Sequence, residues 1–263
     1  MTDELAGIGI DAGSTTCKAV AVSADARILG WRLEAAHPRV EEQTAAIVAD
    51  LLRELGGGAR SVPVVATGYG RKLVREATVR VTEITCHARG VYQALGHAGT
   101  LVDIGGQDSK VIVIGPRGRT VDFVMNDKCA AGTGRFLEHT AGRLDVPMAE
   151  LGSRALEAAG EATISSTCTV FAESEIISLL AHGTELGPIL KGLHRSLVSR
   201  ITALIKQVGL VPPLMLSGGV ARNDAVRAML AESTGQPVEL PDQPQLMGAF
   251  GAALVGLDRR PAG

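Results

Sequence analysis

Short alternating apolar runs open the chain and then recur. Ile8 and Ile10 lead into Asp11, a small-residue turn follows, and the run Ala19-Val-Ala-Val22 comes next. The same order returns where Leu101 and Val102 lead into Asp103, and Val111-Ile-Val-Ile114 follows the turn. Period-two alternation broken by a Gly- and Ser-rich turn predicts a hairpin at each place. Between them, residues 41–55 repeat apolar side chains at helical spacing and stop at Gly56-Gly57-Gly58, which predicts a helix ended by glycine. Strands are predicted over 62–66 and 79–84, with the turn-rich Thr67-Gly68-Tyr69-Gly70 between them. Helices are predicted over 86–96, 132–144, 147–158, 170–181 and 188–208. A buried strand at 214–216, the turn Ser217-Gly218-Gly219 and a closing apolar helix over 245–257 complete the pattern. The stripe Leu190, Leu193, Leu197, Ile201, Leu204, Ile205 and Val208 is helical core spacing.

Strands that alternate with helices predict an α/β fold. A length of 263 residues suits two lobes. The repeated hairpin puts the boundary near 93, with lobes at 1–93 and 94–263 and the final helix a candidate to pack back on the first. Apolar residues make up 46% but aromatics only 3%, so the core must be built from Ala, Val, Leu and Ile. A net charge of −2 without a basic run gives no electrostatic footprint for nucleic acid or anionic lipid. No stretch approaches a membrane span, and the acidic start lacks the basic region of a signal peptide. A cytoplasmic protein with reduced thiols is therefore expected, in which Cys17, Cys86, Cys129 and Cys168 form no disulfide framework.

The duplicated turn carries the first candidate chemistry. Asp11-Ala-Gly-Ser-Thr-Thr-Cys-Lys18 matches Asp103-Ile-Gly-Gly-Gln-Asp-Ser-Lys110 position for position at the Asp, Gly and Lys. Small residues at such a bend offer backbone N–H groups and hydroxyls to phosphate oxygens, and an Asp there can hold hydrated Mg²⁺. Each copy alone is an ordinary turn; the repetition makes a phosphate clamp the better reading. Candidates in the first copy are Asp11, Gly13, Ser14, Thr15, Thr16 and Lys18, and in the second Asp103, Gly105 and Gly106. Gln107 and Asp108 follow the second turn and are the candidates to reach a γ-phosphate and orient an attacking water, Gln107 first; the bland alternative is that they cap the turn. Ser217-Gly218-Gly219-Val-Ala-Arg-Asn223 puts Gly218, Gly219 and Asn223 where a strand meets a helix, for close approach to an adenosine or as a plain strand–helix turn. These three elements in this order resemble the ATPase superfamily of actin, heat-shock protein 70 and the sugar kinases, in which two related, ribonuclease-H-like lobes close around Mg-ATP.

Between the second and third elements, Asn126-Asp-Lys-Cys129 and Ser165-Ser-Thr-Cys168 each set one cysteine at the start of a helical pattern. Helix N-termini favour a thiolate. On spacing alone, a lone Cys among small residues is more often a buried small hydrophobe. Two thiolates are also too few for a cubane cluster, which a symmetric dimer would complete. The motifs NDKCAAGTGRFLE, SSTCTVFAESE, DIGGQDSK, TGYGR and SGGVARN together resemble the activators (component A) of 2-hydroxyacyl-CoA dehydratases, a family that also holds the ATPase subunits of benzoyl-CoA reductases. The resemblance implies a homodimer with ATP or ADP and Mg bound at the phosphate loops, Asp11 and Asp103 reaching the Mg through water. It also implies one [4Fe-4S] cluster held by Cys129 and Cys168 of each copy. The implied function is ATP-dependent delivery of a low-potential electron, received from ferredoxin or flavodoxin, to an iron–sulfur acyl-CoA dehydratase or reductase. Cys17 and Cys86 read as packing, His87 as a helix-side residue, and Glu173 and Glu175 as the solvated face of a helix. The rival readings are a sugar-type kinase and a nucleotide-switched scaffold.

Overall fold

The computed structural model describes residues 4–56, 62–165 and 169–259. These fold into two compact units, Met1–Ala98 with Ile114–Val121 and Pro241–Gly263, and Gly99–Val113 with Asp122–Leu240.

The first unit opens with β1 (Leu5–Ala12), β2 (Thr16–Ser23) and β3 (Ile28–Ala35), followed by α1 (Val40–Glu54), β4 (Val64–Thr67), β5 (Val79–Arg80) and α2 (Glu83–Leu95). The second runs through β6 (Gly99–Ile104), β7 (Ser109–Ile114) and β8 (Thr120–Asn126), then α3 (Gly134–Arg143), α4 (Leu151–Glu157), α5 (Thr169–Ala181), α6 (Leu186–Val208), β9 (Leu214–Ser217), α7 (Asp224–Thr234) and β10 (Val238–Glu239). The closing helix α8 (Met247–Asp258) belongs to the first unit. The sheet orders are β3-β2-β1-β4-β5 and β8-β7-β6-β9-β10. One order maps onto the other strand for strand, so the duplication seen in two short motifs extends to both sheets.

Each sheet centres on the strand whose penultimate residue is the repeated aspartate. All eight residues of β1 are buried, because β2 runs antiparallel on one side, β4 parallel on the other, and helices cover both faces. Ile47, Val48 and Leu51 of α1 cluster with Ile8 and Ile10. On the other face α8 lies almost on the strand backbone: a Cβ on Gly9 would sit 2.0 Å from the Ala249 carbonyl oxygen. Nine of the twelve residues of α8 are buried, the expected state of a helix that is apolar all round. In the second unit, α6 buries the Leu190, Leu193, Leu197, Ile201 and Ile205 stripe against β6, β9 and α7. No helix among the described residues is long and apolar enough to cross a membrane.

Several boundaries differ from the expected ones by one to four residues, three of them at a cap or a 3-10 turn. The strand expected over 79–84 stops at Arg80, because Thr82 caps α2 by accepting the Thr85 N–H and so starts the helix at Glu83. The helices expected from 132 and 147 begin at Gly134 and Leu151, each after a single 3-10 turn. The sequence pattern also passed over β3 and β8. Both lie at sheet edges and interleave apolar with charged residues on exposed positions, which blurs the alternation.

Candidate functional site

In the first unit, hairpin register sets Asp11 directly across from Lys18, whose Nζ lies 3.2 Å from Asp11 Oδ2. Both side chains are largely buried, at 7% and 15% exposure. The Gly13 N–H closes the turn on the Thr16 carbonyl at 3.1 Å. Thr15 Oγ1 is buried there without a hydrogen-bond partner. A buried hydroxyl without a partner is costly in an apolar setting, and a phosphate oxygen would satisfy it. On the far side of β1, Thr67 stands beside Asp11 in parallel register, and Gly68 takes φ +90°, where a Cβ would come within 2.5 Å of Asp11 Oδ1. Gly248 of α8 faces both Asp11 Oδ2 and His87 Nε2, which lie 3.0 and 2.8 Å from its Cβ position. His87 therefore sits at the aspartate rather than merely on the side of its helix.

The second unit repeats the plan with one more charge. Asp103 is the penultimate residue of β6 and Ser217 lies beside it in parallel register, its hydroxyl donating to Asp103 Oδ1 at 2.7 Å. Lys110, at 2% exposure, places Nζ 3.6 Å from Asp103 Oδ2 and 2.7 Å from Asp108 Oδ2. The Gly105 N–H donates to the Asp108 carbonyl at 3.0 Å, closing the turn, and Gln107 is exposed at its tip. Gly218 has φ +89°, the counterpart of Gly68. Both strand-end glycines carry a conformation only glycine adopts cheaply, so the Thr67-Gly68 and Ser217-Gly218 turns are equivalent points of the repeat. Sequence reading placed Lys18 at the site and left out Lys110, Ser217 and Thr67. The repeat itself was the signal for Lys110; the other two depend on a parallel strand far away in sequence.

Asn223 has another engagement. Its Oδ1 accepts the Val226 N–H at 3.1 Å, capping α7, and its Nδ2 lies 2.9 Å from His194 Nε2. His194 Nδ1 lies 2.7 Å from the Leu190 carbonyl, so the ring carries its proton on Nδ1 and accepts from Asn223 on Nε2. Burial pushes the His194 pKa down from the ordinary value. The side chain of Asn223 is thus spent on a cap and a buried histidine, and only its backbone borders the Gly218-Gly219 turn.

Of the described cysteines, Cys17 and Cys86 are buried. Burial pushes both thiols up to about 12, with the Asp11 carboxylate adding to the effect, which keeps them protonated and unreactive. Cys129 is exposed; Cys168 lies outside the described residues. The segment carrying Cys129 is tied to the second phosphate loop through α3, whose first amides, Gly134 and Arg135, donate to the carbonyls of Gly105 and Gly106 at 2.8 and 2.9 Å. Ser109 donates from its buried hydroxyl to the Gly132 carbonyl. The acidic residues of α5 are engaged as well. Glu173 pairs with His139, at 2.7 Å, and with Arg143, both on α3. Those partners, His139 foremost, hold its carboxyl below the ordinary value. Glu175 accepts from Ser165. The expected solvated face is thus a set of ties. The opposite is true of the apolar side chains: α5 buries only Ala172 and Ile176 and exposes Val170, Phe171, Ile177 and Leu180.

Known proteins resemble the chain along nearly its whole length. Residues 8–256 match the model of the BadF/BadG/BcrA/BcrD ATPase family. The activator of lactoyl-CoA dehydratase from Anaerotignum propionicum is 41% identical over 252 residues, covering 94% of this chain and 95% of its own. Component A of the (R)-2-hydroxyglutaryl-CoA dehydratase from Acidaminococcus fermentans superposes with a TM-score of 0.90 at 38% identity, over 96% of this chain and 98% of its own. The activator of the 2-hydroxyisocaproyl-CoA dehydratase from Clostridium difficile, solved with bound ADPNP, does so with a TM-score of 0.87 at 39% identity, over 96% and 94%.

Proposed function

Since the chain belongs to the BadF/BadG/BcrA/BcrD ATPase family, we propose that it is an ATP-dependent electron donor that activates an iron–sulfur acyl-CoA dehydratase or a benzoyl-CoA reductase-type enzyme. It acts as a homodimer, with Cys129 and Cys168 of each copy holding one [4Fe-4S] cluster. The cluster, when bound, supplies low-potential one-electron chemistry, fed by a reduced ferredoxin or flavodoxin.

The single observation that carries this reading is the pair of hydrogen bonds from the α3 amides to Gly105 and Gly106. They join the second phosphate loop to the helix that follows Cys129, so a change in the loop's backbone is felt at the cysteine segment without an intermediary. The donor chemistry also fits. Cys129 is exposed where Cys17 and Cys86 are buried, and the apolar surface of α5 suits a second copy better than water.

Lys18 holds Asp11 and Lys110 holds Asp103 in place, and each aspartate would be a candidate, in its own loop, to bind hydrated Mg²⁺. The Thr15 hydroxyl and the turn amides take phosphate oxygens, and Gln107 orients the attacking water. Asp108 is paired with buried Lys110, which leaves Gln107 the better placed of the two to orient water. The reading is tested by mixing the reduced protein anaerobically with Mg-ATP and an oxidised iron–sulfur acyl-CoA dehydratase. Formation of ADP together with reduction of the partner is expected, and Cys129→Ala abolishes the reduction. ADP formation that instead requires a sugar acceptor would establish a kinase.

A further inference from the structure

One buried histidine has no part in the phosphate chemistry, and it stands where an apolar side chain would pack more simply. His194 lies on the buried face of α6 with Leu190, Leu193, Leu197 and Val198 and is itself fully buried. A polar ring in such a setting is costly unless its nitrogens are paired, and both are: Nδ1 with the Leu190 carbonyl at 2.7 Å and Nε2 with Asn223 Nδ2 at 2.9 Å. The second contact decides which way the Asn223 carboxamide points. With an acceptor at Nε2, Asn223 offers its amide there, which leaves Oδ1 for the Val226 N–H at the start of α7. A donor in that place would turn the carboxamide over and take the cap away.

Asn223 also closes a short turn whose other end is fixed by packing. A Cβ on Gly218 would lie 2.3 Å from the Ile104 carbonyl oxygen, so the end of β9 sits hard on the end of β6. Within the turn, the Asn223 N–H donates to the Val220 carbonyl at 2.9 Å, and the buried Val220 side chain faces α3, its Cγ2 lying 3.3 Å from a Cβ on Gly134. Behind Asn223, α4 comes so close that a Cβ on Gly152 would lie 2.8 Å from Asn223 Oδ1. The segment from Gly218 to Asn223 is therefore held at its strand end by backbone packing and at its helix end by one side chain, whose orientation His194 sets.

We infer that His194 is a positioning residue for the nucleotide, acting through the Asn223 carboxamide to fix the Gly218–Asn223 turn at the adenosine end of the site. The inference rests on the reading that this turn borders an adenosine. Neither side chain touches the nucleotide in this account. A turn held ready spares the binding step the cost of ordering it, so losing the hold weakens the grip on the nucleoside and leaves the phosphate loops as they are.

The experiment uses the full-length protein as wild type, His194→Leu, His194→Gln, Asn223→Ala and the double variant His194→Leu with Asn223→Ala. Binding of ADP and of pyrophosphate, which has the phosphates of ADP without its nucleoside, is titrated in the presence of Mg²⁺, with thermal unfolding as the control for folding. His194→Leu and Asn223→Ala are each expected to weaken ADP binding about five- to tenfold, with pyrophosphate binding within twofold of wild type. The double variant should bind ADP about as well as the weaker single one, because both changes remove the same hold. His194→Gln, which can keep an acceptor for Asn223, should lie nearer wild type, and it replaces the leucine variant if that one does not fold. Folded variants that bind ADP within twofold of wild type, that lose ADP and pyrophosphate alike, or whose losses add in the double variant would overturn the proposal and leave the adenosine reading standing. Wild type that binds pyrophosphate as tightly as ADP would overturn both.

Discussion

Replacing Lys110 by Met should be the most costly single change in the second phosphate loop. The ammonium lies 2.7 Å from Asp108 Oδ2 and 3.6 Å from Asp103 Oδ2 and is 2% exposed, beside an Asp103 side chain at 3%. At an effective dielectric near 20, unit charges this close interact by roughly 5–6 kcal/mol. Met fills a similar volume, so the cavity contribution is small and the loss is that of a buried Asp103 carboxylate that keeps the Ser217 hydroxyl but loses the ammonium, about 3–5 kcal/mol. Asp108 is 29% exposed and can turn to water, which puts the expected value at the lower end. Lys18→Met, at a more exposed pair, should cost about half as much by the same argument. Urea unfolding followed by circular dichroism gives the difference. Adding Asp103→Asn to Lys110→Met should restore part of the stability, because it removes the stranded charge. A loss below about 1 kcal/mol, or a double variant less stable than the single one, would refute the reasoning.

Thr15→Val should leave apo stability unchanged or raise it slightly, since the buried hydroxyl has no partner to lose, while weakening ATP binding about tenfold for a lost hydrogen bond to a charged group; calorimetric unfolding and nucleotide titration read the two effects. His194, held below its ordinary pKa by burial, binds its proton more readily when unfolded. Stability is therefore present above the ordinary histidine value of 6.5 and is lost as pH falls through the lower folded value; His194→Gln should flatten that slope in unfolding curves between neutral pH and mild acid. Gly9→Ala should destabilise the first unit by about 3 kcal/mol or prevent folding, because its Cβ would overlap the Ala249 carbonyl oxygen and the Ala253 nitrogen; expression and melting temperature check this.

What was legible in the sequence was local. The two Asp–Lys turns stood out because each is eight residues long and repeats, and the structure pairs each Asp with its Lys. The packing reading of Cys17 needed only a strand position that faces the core, and the structure buries both Cys17 and Cys86. Contacts that span distant segments were not visible. Asn223 looks like part of a glycine turn because its neighbours are Gly218 and Gly219, whereas its side chain answers to His194 on α6. Glu173 and Glu175 look like solvated helix positions because their partners, His139, Arg143 and Ser165, lie on another helix or across a loop. The strand pairing that makes Thr67 and Ser217 equivalent is likewise a property of the two sheets, which no window of sequence contains. β3 and β8 were missed for the opposite reason: as edge strands, they have too little apolar alternation to register.

Metal content decides most directly whether two copies of the chain share a cluster. Iron and acid-labile sulfide per chain, measured on anaerobically purified protein together with its mass in solution, should give about two of each per chain in a dimer, as one [4Fe-4S] cluster shared by two copies requires. Monomeric protein that stays free of iron after anaerobic reconstitution would contradict it.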